Sequence, residues 1–268
     1  MKKAFIITIL LVAAFFLSIA LVQAKPDKDT DSNLPEVNGT YDVPGHPELK
    51  IRIHVYPAKD VDKAKPAPST TVAPLLVCGL DPVSDAVVDP ADWHLKSGDW
   101  KYKINTSSVP ASVGKSNLAT ITSLAFTEWQ SKTDLNGKVI FVSGSTTVTQ
   151  AKNDGQNIIA WGKAPGSALA VTYTWYYPST GLVAETDTIM NQKFPWSWTN
   201  QADHPNCADP NSYDAQDVLT HELGHWAGLN DEYSPAYVNN TMYGYGAKGE
   251  VKADTLTAGD ISGINKIY

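Results

Sequence analysis

The chain has 268 residues, of which 43% are hydrophobic and 18% are charged, and these proportions are ordinary for a globular protein with a substantial core. Its formal net charge of −7 argues against nucleic acid as a partner, because phosphate groups favour a basic face. The 8 tryptophans are better explained by core packing than by stacking on carbohydrate.

The first 24 residues have the layout of a secretory signal peptide. Lys2 and Lys3 precede a continuous apolar run, and the segment Val22-Gln23-Ala24 suits cleavage after Ala24. The apolar run is long, so an uncleaved membrane anchor is the alternative. We expect cleavage and a secreted, extracellular protein, because a polar segment follows at once.

Residues 25–91 are heterogeneous and are predicted to be an N-terminal prosegment or linker region. The stretch "LKIRIHVYP" at 49–57 alternates apolar and polar residues and predicts one strand. The following residues 59–74 are rich in Pro, Ala and Lys, as is typical of a linker. The sequence leaves open whether this region is removed from the mature protein.

From residue 92 onward the pattern predicts dense, regular elements. Residues 112–132 form an amphipathic helix, because apolar side chains recur at spacings of three and four: Leu118, Ile121, Leu124, Ala125 and Trp129. A turn is predicted at Asn136-Gly137. Alternating or β-branched segments predict strands at 100–105, 138–142, 154–162, 167–177 and 181–191. A crossover helix between the first two strands indicates a mixed α/β sheet with the helix on one face.

A second helix, beginning near residue 212, carries two histidines. Ser212 or Asp214 can cap its first turn. His221 and His225 are four residues apart, so they lie on the same side of the helix, one turn from each other. Gly228 can then end the helix in a left-handed conformation and turn the chain sharply.

The spacing of these residues predicts a zinc site. Two imidazoles one helical turn apart offer nitrogens to one cation, and the turn at Gly228 brings the Asp231 carboxylate back as a third ligand. A fourth position stays open for water, which zinc would activate, and Glu222 is placed to act as the general base. The alternative for the bare HExxH pattern is a surface helix with two solvated histidines.

The full motif, "HELGHWAGLND" at 221–231, resembles the HExxHxxGxxD variant of the metzincin zinc endopeptidases. The segment "NNTMYGYG" resembles their methionine turn, and "TLTAGDISGINKIY" resembles the closing helix of the matrixin branch. The segments "WKYKINTSSVP" and "SALAVTYTWY" resemble its first strand and its antiparallel edge strand. The resemblance covers residues 92–268.

The resemblance implies an α+β fold of mixed α/β layers. Its twisted, mainly parallel five-stranded sheet would have an antiparallel edge strand against which an extended substrate pairs. A long backing helix, the active-site helix and a C-terminal helix would complete the domain. It also implies a monomeric enzyme that cleaves proteins or peptides.

The resemblance further implies the roles of individual residues. His221, His225 and Asp231 would bind the catalytic zinc, and Glu222 would be the base. Met242 would form the floor of the site without binding the metal. The substrate pocket would be lined by Tyr243, Tyr245, Leu169 and Ala170.

Two departures from animal matrixins affect the expected metals. Asp231 stands where they usually have a histidine, as in secreted microbial branches. The histidine cluster that holds their second, structural zinc is missing, so we expect one zinc. Calcium could bind through Asp154, Glu185 or Asp187, although solvated loop carboxylates are the favoured interpretation because no EF-hand pattern is present.

The two cysteines allow two interpretations. Cys78 and Cys207 can form a disulfide in an exported chain. Alternatively, Cys78 in "LLVCGLDP" weakly resembles the propeptide cysteine that caps the zinc in animal matrixins, although the arginine of that motif is missing. We favour the disulfide. His46, His54 and His94 lie outside the motif and are interpreted as ordinary surface or strand residues.

Three functions compete. The leading hypothesis is a secreted zinc endopeptidase. A catalytically silent binding protein or adhesin on the same scaffold is the second, and Glu222 argues against it because such a protein needs no acid beside the metal. A membrane-anchored peptidase is the third.

Overall fold

The structure is a computed structural model that describes residues 34–59 and 75–268. The predicted signal peptide and nearly all of the predicted linker lie outside the described residues. Among those described, no helix has both the length and the apolar character needed to cross a membrane.

The described chain forms eleven strands and three α-helices. The helices are α1 Leu118–Lys132, α2 Ala215–Ala227 and α3 Ala258–Ile264, and short 3₁₀ helices span Thr106–Ser108, Lys115–Asn117, Pro235–Tyr237 and Lys252–Asp254. The strands are β1 Gly39–Val43, β2 His46–Pro57, β3 Val77–Cys78, β4 Gly98–Ile104, β5 Val139–Ser145, β6 Asn157–Gly162, β7 Ala168–Tyr177, β8 Leu182–Asn191, β9 Trp196–Ser197, β10 Cys207–Ala208 and β11 Tyr213–Asp214.

Seven strands form one sheet in the order β1-β2-β7-β8-β6-β4-β5. The four adjacent strands β8, β6, β4 and β5 run parallel to one another. Strand β7 is antiparallel to β8. Helix α1 connects β4 to β5 and packs against α2. The predicted mixed α/β architecture, with its five-stranded mainly parallel sheet and antiparallel β7, is therefore confirmed.

The N-terminal hairpin adds two strands that the resemblance does not include. Strand β2 contains the predicted strand at 49–57 and pairs antiparallel with β7, from Lys50 opposite Tyr176 to Pro57 opposite Ala168. Strand β1 covers the outer side of β2. Strand β7 is therefore an edge of the five-stranded core but not of the complete sheet.

Apolar side chains fill both faces of the sheet. The larger cluster lies between the sheet and the helices and includes Trp129, Leu223 and Trp226. A smaller cluster on the opposite face joins Ile51 and Ile53 of β2 to residues of β7 and β8. The alternation in β2 thus sends its isoleucines to one face and its polar residues to the helix side.

Helix α1 is shorter than predicted. It starts at Leu118 because the residues before it form a 3₁₀ turn after Gly114, whose φ of 88° is left-handed. Four of the five predicted stripe residues are buried, but Leu124 is 40% exposed. Its assignment to the buried stripe was wrong, because it lies at the edge of the apolar face.

Cys78 and Cys207 form a disulfide, which confirms the favoured interpretation. The bond lies within the small antiparallel pair of β3 and β10. Because a zinc-capping cysteine must be a free thiol, the structure contradicts the cysteine-switch alternative. The bridge ties the segment that follows the predicted linker to the body of the protein.

Removal of this bridge should destabilise the protein strongly. The two cysteines are 129 residues apart, and a cross-link of that span restricts the unfolded chain. We expect the Cys78→Ser/Cys207→Ser variant to lose about 4 kcal/mol of unfolding free energy in urea titrations. Reduced wild-type protein, as the control, should show the same loss. A loss below about 1 kcal/mol would contradict the entropic argument.

Candidate metal centre

Helix α2 is positioned by its two ends. Asp214 caps it by accepting hydrogen bonds from the amides of Gln216 and Asp217, at 2.9 and 3.3 Å. Of the two predicted caps, Asp214 is therefore the one used, whereas the Ser212 hydroxyl donates to Ser197. Every residue of α2 is buried, so its histidines lie inside the molecule and not on a solvated surface.

Gly228 ends α2 in the predicted left-handed conformation, with φ of 103°. A Cβ at this position would lie 2.4 Å from the Trp93 carbonyl oxygen, so no side chain fits. The Trp93 indole also donates to the His225 carbonyl at 2.9 Å, which fixes the last turn of the helix. This tight turn directs the chain back toward Asp231.

Substitution of Gly228 by alanine should destabilise the fold. Alanine would have to adopt an unfavourable φ, and its Cβ would clash with the fixed Trp93 carbonyl. We therefore expect the free energy of unfolding to fall by about 2–4 kcal/mol in chemical unfolding. Gly155→Ala is the matched control, because Gly155 also has a left-handed φ but has open space around it. Equal losses in the two variants would show that the contact with Trp93 contributes nothing.

Three potential metal ligands converge below this turn. The Nε2 atoms of His221 and His225 lie 3.1 and 3.4 Å from Oδ1 of Asp231. The Nδ1 atoms face backbone carbonyls, those of Thr241 and Leu229, each at 2.8 Å. Because a carbonyl can only accept, each Nδ1 carries the proton and each Nε2 keeps its lone pair.

These three atoms are candidate ligands for a cation. The Nε2 atoms and Oδ1 of Asp231 are buried and make no hydrogen bond of acceptable geometry. Burial would raise the pKa of Asp231, but the imidazoles of His225 and His221 outweigh it and hold the pKa well below its usual value. A cation bound among these atoms would give the carboxylate and both Nε2 atoms a partner.

Glu222 lies beside this group and is fully buried. Its Oε2 accepts a hydrogen bond from the Thr172 hydroxyl at 2.5 Å, while Oε1 has no partner. Burial raises the pKa of Glu222 to about 7, although the proximity of His221 and the Thr172 hydrogen bond both lower it. A carboxyl group with this pKa can both accept and release a proton near neutral pH.

Thr172 belongs to a chain of hydrogen bonds with one possible direction. The Trp226 indole can only donate, and it donates to the Thr188 hydroxyl at 2.9 Å. Thr188 and Thr172 are hydrogen bonded at 2.6 Å, and an ionised Glu222 can only accept. Trp226 therefore donates to Thr188, Thr188 to Thr172, and Thr172 to Glu222.

The family comparison agrees with this geometry. The matrixin family model matches residues 92–268, which is about two thirds of the chain. The chain belongs to the matrixin family. Matrixins are zinc-dependent metalloendopeptidases, which confirms the predicted class of enzyme and its catalytic zinc at the level of the family. No curated protein matches the chain.

In this matrixin the turn that contains Met242 packs against α2. Met242 is fully buried, and a Cβ on Gly224 would lie 2.2 Å from its sulfur. The Asp260 carboxylate in α3 accepts from the amides of Thr241 and Met242, at 3.0 and 3.2 Å. Helix α3 thus holds this turn in place, and the role of Met242 as the floor of the site stays a prediction.

The predicted pocket residues belong to β7 and to the turn after Met242. Leu169 and Ala170 are fully buried in β7, with Ala170 paired to Tyr56 of β2. Tyr243 and Tyr245 are half-buried, and their ring centroids are 5.6 Å apart. Their role in substrate binding stays a prediction.

Two aromatic residues outside the predicted site cover the two histidines of α2. The His54 ring stacks on His225 with centroids 3.7 Å apart, and the Tyr56 ring stacks on His221 at 3.8 Å. Both covering residues are buried in β2, so His54 is a strand residue, as one of the two interpretations had it, and not a surface residue. Only the alternation of β2, which places both on one face, could have indicated this.

His54 is also close enough to be considered as a ligand, since its nitrogen, one of His225 and a carboxylate oxygen of Asp231 lie within 4.8 Å of one another. We favour His221 as the partner of His225. The His54 and His225 rings are parallel to within 4°, so their in-plane lone pairs cannot meet at one ion. The His221 and His225 rings, at 89°, can meet.

The candidate calcium residues bind backbone amides. Glu185 accepts from Asp154 and Gly155 at 3.1 and 2.6 Å, and Asp187 accepts from Lys152 and Ile158, both at 2.9 Å. These bonds anchor the loop before β6 to β8. Glu185 and Asp187 are buried, so they are not solvated loop carboxylates, and calcium binding itself stays a prediction.

Proposed function

We propose that this protein is a secreted zinc endopeptidase in which His221, His225 and Asp231 hold the metal and Glu222 is the general base. The observation that carries the assignment is the meeting of three buried, unpartnered lone-pair atoms beside a buried carboxylate. Its substrates would be proteins or peptides, as for other matrixins.

Individual residues of the chain would have separate roles in peptide hydrolysis. When bound, zinc would supply a Lewis acid that activates water and polarises the peptide carbonyl. The carbonyls of Thr241 and Leu229 orient the two imidazoles, as outer-shell partners do in zinc sites. Glu222 would accept a proton from the attacking water and deliver it to the departing amine.

Secretion is part of the same proposal. The leader at 1–24 would be cleaved after Ala24, outside the described residues. The Cys78–Cys207 disulfide supports this, because disulfides persist in oxidising compartments outside the cytosol.

Zinc analysis and proteolysis together test the proposal. We expect the purified protein to bind one zinc ion, and its slow hydrolysis of casein to stop with a chelator and return with added zinc. His225→Ala should lose both metal and activity, whereas the matched control His46→Ala, at an exposed histidine of β2, should keep both. A folded protein that binds no zinc after metal supplementation would refute the assignment.

Thr172→Val should shift the pH dependence of hydrolysis. Thr172 stabilises the ionised form of Glu222, so its loss should raise the pKa of Glu222 and leave less of the base ionised at low pH. We expect the acidic limb of the kcat/KM profile to move up by about one pH unit. Thr174→Val is the control, because Thr174 is bonded to Thr186 instead. An unmoved limb would contradict the positioning role of Thr172.

A further inference from the structure

A cleft of about 330 Å³ lies between α1, the first turn of α2 and the segments beside the disulfide. None of the four residues of the candidate metal centre lines it. We call it the acidic cleft, and it is lined by three carboxylates and three side-chain amides: Asp81, Glu128, Asp254, Gln201, Asn206 and Gln216. It is therefore separate from the site that would bind zinc.

The charged side chains of the acidic cleft are all negative. Among the described residues that line it there is no Lys, Arg or His. The other polar groups are amides and hydroxyls, which offer uncharged oxygens. The volume is large enough for an ion with several waters, since one water occupies about 30 Å³. Such a cleft suits a hard cation, which prefers oxygen ligands.

Asp254 is the buried member of the acidic cleft, and its carboxylate has no partner in the described chain. The residue is only 5% exposed, and neither Oδ1 nor Oδ2 makes a hydrogen bond. A buried carboxylate normally accepts hydrogen bonds or binds a cation, because its lost hydration is otherwise uncompensated. Asp254 therefore requires a cation or a proton.

The acids around Asp254 already have partners. Asp214 accepts from three backbone amides and Asp217 from one. Glu128 uses Oε1 for a backbone amide and for its ion pair with Lys132. Burial and the carboxylates of Asp214, Asp217 and Glu128 all raise the pKa of Asp254 well above its usual value. A cation would be attracted most strongly to the acid that has no donor.

We propose that the acidic cleft binds a calcium ion, with the Asp254 carboxylate as its buried ligand and Asp81 and Glu128 as further oxygen ligands. Calcium accepts about six to eight oxygens in a flexible geometry, so amides and waters can complete its shell. Zinc is less suited, because it prefers nitrogen and sulfur. The site differs from Glu185 and Asp187, whose carboxylates accept from backbone amides.

The ion would join the disulfide-linked segment to the helical layer. Asp81 follows Cys78 closely in the chain, Glu128 belongs to α1, and Asp254 ends the 3₁₀ helix that packs against α2. A ligand that binds only the folded state stabilises it. Calcium should therefore stabilise this protein, whether or not it is a peptidase.

Thermal unfolding of the full-length protein tests the proposal. We expect about 10 mM calcium to raise the Tm of the parent by about 3–10 °C, for a Kd of about 10⁻⁴–10⁻³ M. Asp254→Asn should abolish this rise. Without calcium it should be at least as stable as the parent, because it removes an unpaired buried charge. Asp203→Asn is the matched control, since Asp203 is an exposed acid near the cleft that does not line it.

Terbium luminescence shows where the ion binds. Terbium is a hard cation of similar size to calcium, and it emits when a nearby tryptophan is excited. Trp198 donates to the Gln216 side chain at 3.1 Å, so its indole lies beside the acidic cleft. We expect emission that calcium displaces, that Asp254→Asn abolishes and that Trp198→Phe lowers.

Three outcomes would overturn the proposal. Equal calcium-induced rises in Tm for the parent and Asp254→Asn would place the ion elsewhere. A parent that calcium does not stabilise would mean that Asp254 is held as a neutral acid. If Asp254→Asn does not fold, Asp81→Asn decides, because Asp81 is exposed. It should need at least about threefold more calcium for half of the rise, and an unchanged requirement would be the third such outcome.

Discussion

Replacement of Glu222 by glutamine should lower kcat for casein hydrolysis by about 10²–10⁴-fold, the usual contribution of a positioned general base. Glutamine keeps the shape of the side chain and an oxygen that can accept from Thr172, but it cannot take a proton.

The zinc content of the Glu222→Gln variant is its internal control. Glu222 lies outside the three converging ligand atoms, so the variant should still bind one zinc ion per chain. A kcat within about threefold of the parent value would remove Glu222 from the mechanism, since acid–base catalysis contributes at least about 10²-fold. Loss of zinc together with activity would instead make Glu222 part of the metal site.

Replacement of Asp231 by asparagine should reduce zinc affinity by more than about 100-fold, which exceeds the usual effect of an outer-shell partner. The substitution keeps the size of the side chain but removes the negative charge that faces the two imidazoles. A neutral amide oxygen is a much weaker ligand for zinc than a carboxylate. Competition with a chelating dye would measure the dissociation constants.

Glu232→Gln is the matched control for Asp231→Asn. Glu232 is the adjacent acid, and its carboxylate accepts from the Asp89 amide at 2.9 Å without facing the imidazoles. Its replacement should leave zinc affinity unchanged. If Asp231→Asn bound zinc as tightly as the parent, the third ligand would have to be another group, and His54 would be the first candidate because of its proximity.

The candidate metal site could be predicted from the sequence because its residues are close together along the chain. The spacing of His221 and His225 places both rings on one side of any helix, and Gly228 permits the turn that returns Asp231. Met242 depended on the family resemblance, since nothing in its spacing alone shows that it packs under Gly224. The choice of Asp214 over Ser212 as the cap required the observed hydrogen bonds.

The stacking of His54 and Tyr56 on the two histidines could not be predicted from local spacing. Alternation at 49–57 indicated a strand, and the structure contains it, but the backbone of a strand can pair with any free edge. His54 and Tyr56 belong to no motif, and their target lies more than 160 residues away along the chain. The hydrogen-bond chain from Trp226 through Thr188 and Thr172 to Glu222 joins residues that are 38, 16 and 50 positions apart along the chain.

By itself the sequence determined the candidate site of this protein: a helix with two imidazoles one turn apart, a glycine turn, and a carboxylate after it. These features depend on the helical repeat and on the backbone freedom of glycine, both of which act over a few residues. Only the tertiary structure decided that β2 lies along β7 and that its rings stack on the two histidines of α2. That pairing depends on the simultaneous burial of Ile51 and Ile53 on one face and of His54 and Tyr56 on the other, against partners distant in the chain.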